Sequence, residues 1–149
     1  DVCAESDCGV ICMHILGTPQ TMQGDPHYEN VVSDVCDFLS TRLAALERSG
    51  IARDRVITDP GIGFGKTAQH NVDLLSNIGV LRELNRPVLI GHSRKRFLAK
   101  VLGRPVEERT FGTIGVAIAV AAQGADMIRV HDVRETRDAL LAWHAIVNS

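Results

Sequence analysis

The sequence lacks the features that mark several large classes of protein. Its formal net charge is only −2, which gives no electrostatic reason to expect a nucleic-acid partner. No apolar run approaches the roughly 20 residues that a membrane span needs. The sequence as it stands shows no signal peptide or lipidation motif, although it starts at Asp1 without Met. Since 45% of the 149 residues are hydrophobic and 23% are charged, we expect one globular, cytoplasmic domain.

Cysteine usage excludes two further classes. The four cysteines lie at positions 3, 8, 12 and 36, and their spacings match no zinc-binding pattern. We therefore expect free thiols in a reducing compartment and assign no metal ligand within this sequence.

The stretch TDPGIGFGKT, residues 58–67, ends like a phosphate-binding loop but does not complete the pattern. A P-loop needs a glycine five positions before Gly65, and that position is Pro60. The dinucleotide pattern G-x-G-x-x-G also fails, because Lys66 stands where its third glycine belongs. The stretch therefore predicts no nucleotide site, and we expect Gly-Lys-Thr to start a helix.

Short apolar runs alternate with helical patterns along the whole chain. The predicted strands are 9–15, 55–59, 87–93 and 126–132, and the predicted helices are 29–50, 69–84, 106–124 and 134–147. This alternation is typical of a parallel sheet covered by helices, either doubly wound or a (β/α)₈ barrel. Four units are about half of the typical ~250-residue barrel. We therefore expect residues 1–149 to form the C-terminal half of a TIM barrel, about strands 5–8, without the N-terminal half.

Polar residues follow the predicted strands at the ends where α/β folds place their sites. Arg129 and His131 are two apart, so on an extended strand they share a face and could bind an anion such as diphosphate. The alternative is that both are buried and bonded to backbone carbonyls. Ser93 and Lys95 also share a face if the extended conformation continues, while Arg94 and Arg96 are interpreted as a solvated basic cluster that begins a helix.

The residues around Asp59 suit a flat ligand. A carboxylate at a strand end can accept two parallel hydrogen bonds from an amidine-like edge, although a turn cap is the alternative. The following glycines allow positive φ or close approach of the backbone to a ring, and Phe64 could cover that ring. Lys95 could donate to a ring carbonyl or nitrogen. His14 is expected to be a core histidine.

The segments VICMHILGTPQTMQ, VITDPGIGFGKTAQHN, VLIGHSRKRF and MIRVHDVRET together resemble dihydropteroate synthase, in order and at natural spacing over essentially the whole chain. The resemblance implies a transferase of folate biosynthesis built on a pterin-binding TIM barrel. Such enzymes join p-aminobenzoate to 6-hydroxymethyl-7,8-dihydropterin diphosphate, giving 7,8-dihydropteroate and diphosphate, and sulfonamides compete with p-aminobenzoate.

The resemblance also assigns roles to matching positions. Asp59 would bind the amino-pyrimidine edge of the pterin, Lys95 its carbonyl and N5 side, Met13 and Gly91 the pterin slot, Phe64 and Ser93 the p-aminobenzoate site, and Arg129 and His131 the leaving diphosphate. The catalytic roles fall on Lys95, Arg129 and His131. Mg²⁺ would assist, with its main protein ligand expected in the absent N-terminal half.

Several features temper the resemblance. Ile62 and His92 depart from residues that are frequent in the family. Because part of the family's site lies upstream, this chain alone is expected to be inactive, while the complete protein is expected to be a homodimer. Two alternatives are a methyltransferase acting between methyltetrahydrofolate and a corrinoid protein, and a non-catalytic half-barrel remnant. The first is disfavoured, because a protein that binds no diphosphate should lack Ser-Arg-Lys and Arg-x-His.

Overall fold

The computed structural model describes residues 2–18, 20, 22, 24 and 26–149. Strands and helices alternate along these residues as follows: β1 (Val10–Met13), α1 (Val31–Arg48), β2 (Val56–Asp59), α2 (Ala68–Leu75), α3 (Ile78–Arg82), β3 (Leu89–Ile90), α4 (Arg96–Leu102), α5 (Thr110–Ala122), β4 (Met127–Ile128) and α6 (Val133–Val147). Short 3₁₀ turns occupy Arg53–Arg55 and Val106–Glu108. Among the described residues, no helix is both long and apolar enough to cross a bilayer.

The strands are parallel and lie side by side in chain order. β1 pairs with β2 in a register that places Met13 opposite Asp59, and β3 pairs with β4. A parallel bridge between Thr58 and Val88 joins the two pairs. The predicted α/β class with parallel strands is confirmed. Because all four strands run the same way, their carboxyl ends meet at one edge of the sheet.

Helix α1 shows how the local sequence determines where a helix begins and which face is buried. The side chain of Asn30 accepts hydrogen bonds from the backbone N–H groups of Val32 and Ser33, both at 3.1 Å, and so caps the first turn. Val35 and Leu39 are one turn apart and fully buried, so one face of the helix packs on the sheet.

The main apolar core lies between the sheet and the helices that cover it. Its buried members are Val31, Val35, Leu39, Ile62, Leu74, Leu75, Ile78, Leu81, Val88, Ile90, Phe97, Leu98 and Val120. These residues come from α1 to α5, from β3 and the residue before it, and from the loop after β2. Because Ile62 follows β2 and Ile90 ends β3, packing in this core holds the carboxyl ends of both strands in place.

Three predicted elements differ most from the structure. The strand predicted over 126–132 comprises only Met127–Ile128, so Arg129 and His131 follow the strand rather than lie on it. The helix predicted over 69–84 is broken into α2 and α3, since Asn77 turns its amide back to the carbonyl of Asp73 at 2.8 Å. The strand predicted over 87–93 ends at Ile90, and the chain then turns at Arg94, whose φ is +56°. That turn directs the basic cluster into α4.

Candidate functional site

Asp59 is the buried carboxylate at the end of β2, only 1% exposed. Its Oδ1 accepts a hydrogen bond from the N–H of Gly61 at 2.7 Å, and its Oδ2 lies 4.0 Å from Nη2 of Arg129. Burial raises the pKa of Asp59, whereas the Gly61 N–H and the cations Lys95, Arg129 and Lys66 oppose that rise. The turn cap is therefore present through one oxygen, and the other oxygen faces the Arg129 guanidinium.

The glycines after Asp59 have the predicted positive φ, +70° at Gly61 and +63° at Gly65. The predicted clearance for a flat ring is wrong at both positions. A Cβ on Gly61 would lie 1.8 Å from the carbonyl oxygen of His14, and one on Gly65 would lie 2.7 Å from Cβ of Leu16. The space that these glycines leave is filled by the chain that continues from β1. They bring the two strand ends together.

Lys66 is buried beneath this loop, 5% exposed. Its Nζ donates to the carbonyl of Phe64 at 3.0 Å and lies 2.9 Å from Nδ1 of His14. Burial, together with the Lys66 charge, lowers the pKa of His14 to about 4, and His14 is the core histidine that was predicted. Thr67 caps α2, so the prediction that Gly-Lys-Thr starts a helix is confirmed.

The buried Lys66 predicts a specific pH dependence of stability. Burial lowers its pKa from 10.5 to about 7, against the opposing charge of Asp59. Between these values the unfolded chain holds a proton that the folded chain has lost, so the free energy of unfolding rises with pH. Relative to Lys66→Met, the native chain should gain up to about 1.4 kcal/mol per pH unit in that window.

Urea unfolding at pH 6.5, 8 and 9.5 measures this difference. Lys95 is present in both proteins, and its charge adds to the lowering of the Lys66 pKa. The matched control is Lys100→Met, which removes the charge of an exposed lysine on α4 without opening a buried site. A constant difference between the native chain and Lys66→Met across this range would show that Lys66 stays protonated in the fold.

Lys95 lies near Asp59 and beside the ring of Phe64. Its Nζ is 4.4 Å from the centroid of the Phe64 ring and donates to the carbonyl of Ile62. Burial lowers the pKa of Lys95 to about 8, with Asp59 as the main opposing charge. Phe64 and Lys95 border a groove of about 750 Å³ beside α4, which is roomy enough for a small aromatic acid.

The residues after β4 contact those after β3. The Arg129 guanidinium lies over Gly91, where a Cβ would approach Nη2 to 2.7 Å. Ser93 Oγ lies 2.8 Å from Nδ1 of His131 and accepts the His131 backbone N–H at 3.2 Å. The Arg129 side chain is 58% exposed, which excludes the alternative that it is a buried, carbonyl-bonded group. The Arg129 guanidinium is thus largely exposed at the carboxyl ends of the strands.

Two expectations about the Ser-Arg-Lys segment are wrong. Ser93 and Lys95 do not share a face of an extended strand, because the positive φ of Arg94 makes a turn between them. Arg94 is not simply solvated either, since it forms an ion pair with Asp132 at 2.5 Å. Arg96 is exposed, as expected.

The predicted site residues nevertheless come together. Each contacts or pairs with another member of the set: Met13 with Asp59, Asp59 with Arg129, Arg129 with Gly91, Ser93 with His131, and Lys95 with Phe64. Sequence reasoning missed Lys66, Asn71 and Asp132. Asn71 accepts the Gly63 N–H at 2.6 Å and steadies the loop. The sequence did carry one signal for Asn71, since it is a polar residue four positions after Thr67, the residue that caps α2.

Comparison with known proteins agrees with this geometry. The family model described as pterin binding enzyme matches residues 1–131. Dihydropteroate synthase of Haemophilus influenzae is 44% identical over 140 residues, 94% of this chain and 51% of that protein. The Escherichia coli K12 enzyme is 38% identical over 149 residues, all of this chain and 53% of that protein.

Solved structures give the same result. Dihydropteroate synthase from Stenotrophomonas maltophilia with active site-bound imidazole superposes with a TM-score of 0.93 at 42% identity, covering 96% of this chain and 54% of that one. The Xanthomonas albilineans enzyme in complex with 7,8-dihydropteroate gives 0.87 at 41% identity, covering 95% and 51%. The chain thus spans about half the length of these relatives. With a family model matched over most of its length, the chain belongs to the pterin-binding enzyme family.

Proposed function

We propose that this chain carries the pterin and diphosphate part of a dihydropteroate synthase site. The observation that supports it most is the buried Asp59 beside Arg129, on the sheet edge that also holds Lys95, Ser93 and His131. The combination offers a carboxylate for a pterin and cationic donors for a diphosphate within one site. Structures of relatives with 7,8-dihydropteroate and with 4-aminobenzoic acid support these substrate classes.

The pterin end is held by Asp59 and Lys95. An ionised Asp59 accepts two hydrogen bonds from the amino group and ring N–H of the aminopyrimidine edge. Lys95 donates to the ring carbonyl and N5 side, and Met13 and Gly91 border the slot. For Lys95 this requires its Nζ to leave the Ile62 carbonyl, to which it donates in the structure.

The bond-breaking step needs little acid–base chemistry. The C–O bond between the pterin CH₂ and diphosphate breaks, diphosphate leaves with the electron pair, and the amine of p-aminobenzoate attacks the carbon and then loses a proton. Arg129 and His131 stabilise the departing anion electrostatically, and Phe64 and Ser93 position the acceptor in the groove beside α4. Positioning and charge therefore carry the catalysis.

Part of this proposal concerns what lies outside the chain. Within the residues that the structure describes, no group of three His, Cys, Asp or Glu side chains could hold a metal. The proposed Mg²⁺ takes its main protein ligand from outside these residues. We further propose that the chain is the C-terminal half of a TIM barrel, inactive alone, in a cytoplasmic homodimer. Exposed apolar side chains on α5 and α6, including Phe111 at 87% and Ile146 at 76%, support dimerisation.

The diphosphate assignment predicts the behaviour of Arg129→Ala. We expect calorimetric titration with inorganic diphosphate to show an affinity about 10- to 100-fold weaker than that of the native chain, because a hydrogen-bonded charge is worth roughly 1.5–3 kcal/mol. The matched control is Arg137→Ala, which removes an arginine that is 71% exposed on α6. Equal affinities of the native chain and Arg129→Ala would exclude the assignment.

Activity and binding measurements on the same native chain distinguish the alternative functions. Turnover of pterin diphosphate and p-aminobenzoate by the chain alone would overturn the proposed inactivity. Binding of both substrates without turnover fits an incomplete site, whether a segment of the enzyme or a remnant. Affinity for a methylated folate without affinity for diphosphate would favour the corrinoid methyltransferase.

A further inference from the structure

Two turns at the mouth of the site contact each other residue by residue. Ser93 and Arg94 follow β3, and His131 and Asp132 follow β4. Ser93 bonds to His131, and Arg94 bonds to Asp132. The proposed function uses Ser93 and His131 but assigns nothing to Arg94 or Asp132.

The Arg94–Asp132 contact is a two-pronged ion pair. Nε of Arg94 lies 3.1 Å from Oδ2 and Nη2 lies 2.5 Å from Oδ1. The side chains are 33% and 17% exposed, and Thr110 Oγ1 also donates to Oδ2 at 3.2 Å. A planar guanidinium bonded through two nitrogens fixes direction as well as distance. The pair therefore sets the relative position of the two turns.

The backbone of Arg94 supports the same conclusion. A non-glycine residue with φ of +56° is in a conformation that the surroundings must maintain. Its N–H donates to Thr113 Oγ1 at 3.1 Å, and its carbonyl accepts from Nη1 of Arg109 at 2.9 Å. With side chain and backbone both bound, Arg94 is held in one orientation against Asp132.

The contact with Ser93 involves one ring nitrogen of His131. Ser93 Oγ accepts the His131 backbone N–H at 3.2 Å and lies 2.8 Å from Nδ1 of the ring, and its hydroxyl has one hydrogen that it can donate to that nitrogen. A neutral ring whose Nδ1 accepts carries its proton on Nε2. With the Ser93 hydroxyl donating to Nδ1, Nε2–H is the donor left on the ring.

We propose that the Arg94–Asp132 ion pair is a positioning pair, which holds His131 against Ser93 so that Nε2–H is presented to a diphosphate oxygen. Neither member of the pair touches the anion. The use of that donor rests on the proposed function, whereas the effect on His131 does not.

The test measures the tautomer first and affinity second. Nitrogen-15 spectra of the His131 ring are recorded at pH 8 for the native chain, Arg94→Met, Asp132→Asn and the double variant. We expect an Nε2–H ring with a hydrogen-bonded Nδ1 in the native chain and a mixture of tautomers in each variant. Inorganic diphosphate should bind about tenfold more weakly to each variant, with the double variant no weaker than either single one because the pair acts as a unit.

Two further variants of the chain serve as controls for this test. Arg104→Met breaks the exposed Arg104–Glu108 pair, 63% and 54% exposed, and should change neither readout. Arg94→Lys keeps the charge but not the two-pronged contact, so it should give an intermediate tautomer mixture, and it serves if Arg94→Met does not fold. A native tautomer in Arg94→Lys and Asp132→Asn overturns the inference even if Arg129→Ala still weakens binding. If the tautomer follows the pair but the native chain binds no diphosphate, the positioning stands and the proposed function fails.

Discussion

Replacing Asp59 with asparagine is expected to lower the affinity of the chain for 6-hydroxymethyl-7,8-dihydropterin by about a hundredfold or more. The pterin edge presents two N–H donors, and asparagine meets them with one acceptor and one donor of its own. Losing a charged hydrogen bond costs roughly 1.5–3 kcal/mol, and a buried donor left facing another donor adds to that. Arg129 also loses the carboxylate that lies 4.0 Å from its guanidinium.

The pH dependence of binding should identify the same carboxylate. Because burial raises the pKa of Asp59, the carboxylate that the pterin needs is lost at a higher pH than for an exposed aspartate. The native affinity should therefore fall as the pH is lowered toward that raised pKa, while the residual affinity of Asp59→Asn should not show this step. Fluorescence titrations with the dihydropterin from pH 8 down to pH 5 would show it.

Asp126→Asn is the matched control for this experiment. Asp126 also accepts a backbone N–H, that of Val88 at 2.9 Å, but it precedes β4 and so lies at the opposite edge of the sheet. We expect its substitution to change stability without changing pterin affinity. Equal losses in the two variants would show general destabilisation, and an unchanged affinity in Asp59→Asn would remove the pterin from this site.

The sequence was enough to place those residues whose position depends only on the local pattern. Asp59, Arg129 and Ser93 each follow an apolar run, and parallel strands bring such positions to one edge whatever their distance along the chain. The alternation of apolar runs with helical patterns, together with the positions of the strand ends, was therefore enough to predict that these three residues lie close together. The helix that begins after Gly-Lys-Thr was predicted correctly for a similar reason, since Thr67 caps α2 through its own side chain.

Contacts between distant segments were not predictable in this way. The inward direction of Lys66 depends on His14, 52 positions earlier, and the position of Arg94 depends on Asp132, 38 positions later. No periodicity within one segment carries that information. The same holds for the glycines after Asp59, whose positive φ was predicted but whose neighbours, the residues after β1, were not.

The role of those glycines makes Gly61→Ala the substitution with the largest expected effect on stability. At φ of +70° an alanine is strained by about 1–2 kcal/mol. Its Cβ would also lie 1.8 Å from the carbonyl oxygen of His14, a backbone atom that cannot rotate away. The loop and β1 must therefore separate, which breaks the Gly61 N–H bond to Asp59 and disturbs the pairing of β1 with β2.

Gly103→Ala isolates the first of these two costs, the backbone strain. Gly103 ends α4 at φ of +66°, and a Cβ there meets nothing within 4 Å, so this variant carries the backbone strain alone. We expect urea unfolding to show a loss of about 1 kcal/mol for Gly103→Ala, in keeping with left-handed strain, and a loss at least twice as large for Gly61→Ala. If the two variants lose equal stability, the loop after β2 has room to relax, and the close approach of Gly61 to β1 does not constrain Asp59.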